Sequence, residues 1–252
     1  MKFRLVLLLF VVAGLVQVQA REQTQHLQSV PVVKLTSLDW PPYTGKQLAG
    51  QGEVTVLLRQ VMADLGYQLQ IDFLPWPEAV AKVRSGAEGH LGFFPEYPVA
   101  DNNYLMSAAI GYSELGLVER RDKPLLLTDV KELAGVRFGV VQDYLNMAEL
   151  DAMIATGQLK PVVSASDQDN VEKVMRGELD TAVIDKRVLS YLLQYDPALQ
   201  KAAVSLQFSQ SLQQHKSLHL VLKKTPQNVE LIKKFNQKIR QYKTRFIDPE
   251  LR

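Results

Sequence analysis

The sequence predicts an α/β protein built as two touching lobes. First, runs that alternate apolar and polar residues take turns with runs whose apolar residues recur at helical spacing, the pattern of strands joined by crossover helices. Second, this series closes on the charged end Glu119-Arg120-Arg121, and a second one opens at Thr128. Third, no long linker, internal repeat or low-complexity tract separates the two, so they are expected to be in contact.

Lys2 and Arg4 precede the apolar run Leu5 to Val16, and Val18-Gln19-Ala20 places small residues where a signal peptidase cuts. Residues 1–20 read as a cleaved secretory signal peptide. The run is short for a membrane span, and no later segment approaches the roughly 18 to 20 apolar residues one needs. The chain has no cysteine, which excludes disulfides, zinc-thiolate sites, thiol nucleophiles and a lipid anchor at the cleavage site. Its net charge of +2 comes from Lys2 and Arg4, leaving a mature chain with 27 basic and 27 acidic residues. That balance argues against nucleic acid as a partner.

Residues 21–29 are a polar lead-in. Val32 to Thr36 forms a first strand, followed by Leu38-Asp39-Trp40-Pro41-Pro42-Tyr43-Thr44-Gly45. Both prolines fix φ and lack an N–H, so Trp40 and Tyr43 sit on a stiff loop at the carboxyl end of a strand, where open α/β sheets hold ligands. Roofing of the core is the other role open to these rings. Val54, Leu57, Leu58, Val61, Met62 and Leu65 mark a helix that stops at Gly66, and Gln68 to Leu74 alternates as a strand. Trp76-Pro77-Glu78 starts a short helix closed by Ser85-Gly86, before the strand His90 to Phe94. Leu115 to Arg121 is the next strand.

The second series opens with a short helix over Thr128 to Leu133, with Thr128 as its N-cap. Strands follow at Val136–Val141, Pro161–Ser164, Thr181–Ile184, Val204–Phe208 and Leu218–Leu222. Helices are expected near 147–154, 170–176 and 186–193. A last helix over 228–242 would turn Val229, Ile232, Phe235 and Ile239 toward a sheet.

His26, His90, His215 and His219 show no spacing with acids that would make a metal site. The sequence contains neither a Gly-Xaa-Ser-Xaa-Gly elbow nor a phosphate loop, and no cofactor is implied. Polar residues at strand ends could instead face a ligand. Asp185 directly follows Thr181–Ile184, where it could accept a ligand amine, cap the next helix, or do both. Asp143 and Tyr144 occupy the equivalent loop after Val136–Val141. Glu96, after Phe93-Phe94-Pro95, is either a site acid or an exposed loop acid.

The signal peptide, Trp40-Pro41-Pro42-Tyr43, Pro75-Trp76 with the later Gly86, Gly177 to Asp185, and Leu218 to Lys224 with Phe235-Asn236 together resemble the extracellular solute-binding proteins of family 3. These are the polar amino-acid receptors of ABC importers, with the type II periplasmic binding fold. The resemblance spans nearly all of the mature chain. It implies a two-lobed flytrap, each lobe a mostly parallel sheet flanked by helices, with crossing strands near 113–119 and 206–212. Residues 21–115 plus 213–252 would make lobe 1, and 116–212 lobe 2. It also implies a monomer in the periplasm that binds a small molecule and docks on a membrane permease or sensor.

Carried over position by position, Trp40 matches the aromatic that stacks on the ligand, and Asp185 the acid that accepts its α-ammonium. Asp185→Ala is then expected to weaken binding without unfolding the chain. The family's carboxylate-binding arginine falls at Ala100, and its Gly-Thr-Thr loop is Asp143-Tyr144-Leu145. Loss of a guanidinium fork counts against ordinary α-amino-acid binding. The expected lining of Trp40, Tyr43, Trp76, Phe93, Phe94, Glu96, Asp143, Tyr144 and Asp185 is aromatic and acidic, which favours a cationic or amine-bearing solute. Binding without catalysis is the leading reading. The alternative is a dehydratase-like periplasmic enzyme with Glu96 or Asp143 as general acid.

Overall fold

The computed structural model describes residues 30–242; the expected signal peptide, the lead-in 21–29 and residues 243–252 lie outside them. In the first half, β1 (Val32–Ser37), β2 (Gln68–Phe73) and β3 (Gly92–Glu96) lie parallel in the order β2-β1-β3. The crossovers are α1 (Glu53–Asp64) and α2 (Trp76–Ser85). α1 buries Val54, Leu57, Leu58, Val61 and Met62 on one face. It ends where Gly66, at φ 82°, lets the Tyr67 N–H return to the Met62 carbonyl at 2.9 Å. At its other end the Glu53 and Val54 N–H groups donate to the Pro42 and Tyr43 carbonyls. Gly52, at φ 99°, makes that approach possible, since a Cβ there would lie 2.4 Å from the Tyr43 carbonyl oxygen. The aromatic loop is thereby fastened to the first turn of α1.

The second half contains β6 (Phe138–Val141), β7 (Val162–Ser164) and β8 (Thr181–Asp185), parallel in the order β8-β6-β7. Its helices are α3 (Ala148–Ala155), α4 (Asp167–Met175) and α5 (Lys186–Tyr195). Two long strands join the halves. β5 (Gly111–Arg120) pairs antiparallel with β8, and β10 (Gln214–Lys223) pairs with β5 through Gln214–Leu218 and with β3 through its other end. α6 (Pro226–Ile239) then returns to the first half, packing on α1 and on β10.

Several elements differ from the sequence expectation. Leu206–Phe208 is a short strand, β9, that pairs with Val118–Arg120 inside the second half; the strand that passes between the halves is β10. β10 reads weakly in sequence because Gln214–Ser217 is polar and partly exposed. β4 (Tyr104–Met106), paired with β10, is three residues long and leaves no periodic signal. The expected helix at 128–133 is a 3-10 turn over Val130–Gly135 capped by Asp129, while Thr128 donates to the Glu132 carboxylate. In α6, Leu231 faces inward with Ile232, Phe235 and Ile239, and Val229 is exposed. Phe235 is fully buried, so truncation to Ala would cost about 3–5 kcal/mol.

Candidate functional site

The carboxyl ends of β1, β3, β6 and β8, with the first turn of α4 after β7, converge where the two halves meet. This is the face on which an α/β sheet presents ligand groups. Thr44 folds the loop after β1 back, with the Trp40 N–H donating to its carbonyl at 2.8 Å and its hydroxyl to the Leu38 carbonyl at 2.9 Å. Trp40 stacks on Tyr43 with ring centroids 4.6 Å apart and meets Tyr97 edge-on at 6.2 Å. Trp76, at the start of α2, stands edge-on to Phe93 at 5.5 Å.

Three carboxyl groups face this aromatic cluster, each in a different environment. Asp185 is 1% exposed and saturated with donors. One oxygen caps α5 by accepting the Arg187 and Val188 N–H groups at 2.7 and 2.9 Å; the other accepts the Tyr43 hydroxyl at 3.0 Å and the Ser113 hydroxyl at 2.5 Å. Burial pushes its carboxyl up, opposed by those four donors. Asp167, at the first turn of α4, is pushed up to about 7 by burial and by the Asp185 charge, against the Trp40 indole N–H that donates to it. Glu96, at the end of β3, is also pushed up to about 7 by burial, against the Tyr97 N–H that it accepts at 2.7 Å and the nearby Lys216 charge.

Basic groups complete the junction. The Lys216 ammonium lies 4.2 Å above the Tyr97 ring and donates to the Asn146 carbonyl. The Arg187 guanidinium packs over Tyr43 at 5.0 Å and pairs with Glu53 of α1. The bonds Tyr43–Asp185 and Glu53–Arg187 therefore tie one half to the other.

Little space remains inside. One cavity of about 30 Å³ is lined by Trp40, Trp76, Glu96, Tyr97, Tyr144 and Leu145 among others. A second of about 20 Å³ shares Trp40, Tyr97, Tyr144 and Leu145 and reaches Asp167 and Asp185. Each has room for roughly one or two waters. Open grooves of about 560 and 540 Å³ flank the contact, and Trp76, Pro77 and Tyr144 line both.

Of the sequence-derived residues, Trp40, Trp76, Glu96, Tyr144 and Asp185 line the inner cavities, and Phe93 and Asp143 line the second groove. Tyr43 lies beneath Trp40, bonded to Asp185, and Phe94 is fully buried in the core. Strand alternation explains Phe94, since Phe93 and Phe94 occupy opposite faces of β3. Ala100 is exposed in the loop before β4. Sequence reasoning missed Asp167, Tyr97, Asn146 and Lys216. The serine N-cap before Asp167 was the available signal for that residue, because it marks a helix start beside a strand end.

Away from the junction, folding brings His90 together with Asp72 and Glu88, their ligand atoms within 4.8 Å of one another. Sequence spacing concealed this grouping. The Lys82 ammonium already contacts both acids, at 3.1 and 3.0 Å, and supplies the positive charge there. Among the described residues no helix is long and apolar enough to cross a membrane.

No family model matches this sequence, and no curated protein matches it. Solved structures do. A histidine kinase sensor domain with similarity to periplasmic binding proteins superposes with a TM-score of 0.70 at 17% identity, over 84% of this chain and 91% of that one. An ancestral arginine-binding protein bound to arginine gives 0.68 at 14% identity, over 85% and 93%. The periplasmic VFT2 domain of Bordetella pertussis BvgS gives 0.66 at 20% identity, over 84% and 88%. At these identities the likeness establishes the fold, a two-lobed periplasmic-binding-protein architecture.

Proposed function

We propose that this chain is a periplasmic binding protein that captures a small amine-bearing solute between two lobes, residues 21–115 plus 213–252 and residues 116–212. The observation that carries this reading is the pair of carboxyls, half-buried Glu96 and buried Asp167, set among Trp40, Trp76, Tyr97 and Tyr144 at the lobe junction. Acids that titrate near pH 7 ionise at little cost when a cation arrives, and the ammonium then gains both a charge-assisted hydrogen bond and ring faces. A desolvated cation–π contact adds about 2 kcal/mol.

The inner cavities are smaller than any such solute, so the lobes must part for entry and re-form around it. Contacts made by both lobes then favour the closed arrangement. No step of this function needs a covalent intermediate. The protein works as a monomer and hands its state to a membrane partner, an importer of the family 3 type or a sensor. The likeness to a histidine kinase sensor domain supports the second partner as much as the likeness to an arginine-binding protein supports the first.

A thermal-shift screen of cationic, zwitterionic and anionic metabolites tests the reading. Amine-bearing compounds are expected to raise Tm. Stabilisation by anions alone would overturn it.

A further inference from the structure

The two inner cavities share Trp40, Tyr97, Tyr144 and Leu145 and differ in their acids. The one of about 30 Å³ touches Glu96, on β3 of the first half. The one of about 20 Å³ touches Asp167, on α4 of the second half. They are neighbouring chambers along one aromatic wall, each with its own carboxyl. The Tyr97 phenol feels the charge of both acids, whereas Glu96 itself responds to burial and Lys216, and Asp167 to burial and Asp185. Tyr97 thus stands between two separate acids.

Both acids have capacity to spare. Glu96 is half-buried and accepts the adjacent Tyr97 N–H at 2.7 Å. Asp167 is 8% exposed, with the Trp40 indole beside it. Among the described residues, no cation lies within 4.0 Å of either carboxyl. Asp185, which also lines the smaller cavity, is different, because four donors already fill it. Buried carboxylates are ordinarily paired, so two that face cavities without a cation call for cations from outside.

The same walls exclude an anion. Among the described residues, no lysine, arginine or histidine lines either cavity. Lys216, the cation that Glu96 feels, lies over the Tyr97 ring, donates to the Asn146 carbonyl and responds to Asp151 before Glu96. A ligand carboxylate would meet acids and rings with no cation to receive it. A monoamine would answer one acid and leave the other ionised and unpaired in the closed cleft. A solute with a cation at each end answers both, and its apolar middle lies on Trp40, Tyr97 and Tyr144.

Resting on the reading of this cleft as the binding site, we infer that the solute is an α,ω-diamine without a carboxylate, one ammonium held by Glu96 of the first lobe and the other by Asp167 of the second. Each lobe supplies one anchor. Only a ligand with two cations gains both on closure, and that differential contact is what shifts the lobes together. Charge-assisted hydrogen bonds at the two ends and the ring faces beside them supply the affinity.

The test is titration calorimetry of the purified chain near pH 8, above the values near 7 at which both acids titrate. Each diamine is compared with the monoamine of equal length and with the amino acid that adds a carboxylate: 1,4-diaminobutane with n-butylamine and L-ornithine, 1,5-diaminopentane with n-pentylamine and L-lysine. At least one diamine is expected to bind, and both of its counterparts to bind at least about tenfold more weakly. Glu96→Gln and Asp167→Asn should each lose about tenfold or more for that diamine, falling toward the affinity of the monoamine. A melting temperature no lower than the parent's guards each variant against a folding defect, and the matched compounds test the claim without any variant. A monoamine or amino acid that binds as tightly as its diamine, or a loss smaller than tenfold in either folded variant, overturns the two-acid anchor and leaves the amine reading intact. Absence of binding by every amine overturns the cleft reading itself.

Discussion

Asp185 and Glu96 each end a central strand, one in each half of the molecule, yet they occupy opposite situations. Asp185 accepts from four donors, two on α5, one on β5 and one on the aromatic loop. Glu96 accepts from a single backbone N–H and faces a cavity. Position at a strand's carboxyl end is therefore a poor guide to ligand contact. Unused hydrogen-bonding capacity separates a carboxylate that holds the fold from one that can hold a solute.

The largest effect that would break this contrast is on stability. Asp185→Ala leaves α5 uncapped and removes the charged acceptor that the Tyr43 and Ser113 hydroxyls share, leaving them the Tyr112 carbonyl and the Tyr97 hydroxyl, so a loss of about 3–5 kcal/mol is expected in urea unfolding. The sequence-based expectation for the same variant is weakened binding in a chain that stays folded. A cost below about 1 kcal/mol would mean that Asp185 is a site residue after all.

Next comes pH. Glu96 and Asp167 both titrate near 7 in the folded protein, above their unfolded values near 4. Stability from keeping them protonated is complete below about pH 4 and is lost as pH rises through 7. The decline is at most on the order of 4 kcal/mol per group, and Glu96→Gln or Asp167→Asn should flatten its own share in urea midpoints between pH 4 and 8. A profile that these variants leave unchanged would place both acids in water.

Trp40→Phe removes the indole donor to Asp167 along with some buried area. A loss of about 1–3 kcal/mol is expected, smaller at pH 5 than at pH 8 because protonated Asp167 needs the donor less. The smallest effect belongs to Arg187→Ala, which breaks a half-exposed pair with Glu53. About 1 kcal/mol or less should be lost, and less still at high salt.

Much of the fold was legible because the local signals agree with the global pairing. β8 and α5 read correctly from Thr181 to Leu193, where an apolar strand meets a capping acid and then a helical apolar stripe. β10 was half-hidden because its polar Gln214–Ser217 stretch pairs with β5 while its apolar end pairs with β3. The site was legible only where it is local. Trp40 and Tyr144 announce themselves as aromatics in strand-end loops, whereas Lys216 gains its meaning from Glu96 and Tyr97 across a long-range strand pair. His90 with Asp72 shows the same limit, since contact between distant residues has no spacing to read.

The central claim, capture between the two lobes, is tested most directly by amide hydrogen exchange with and without the compound that raises Tm most in the screen. Protection is expected in both halves at once, around Trp40–Thr44 and Phe94–Tyr97 on one side and Asp143–Met147 on the other. Protection confined to one half, or to surfaces outside the cleft, would contradict it.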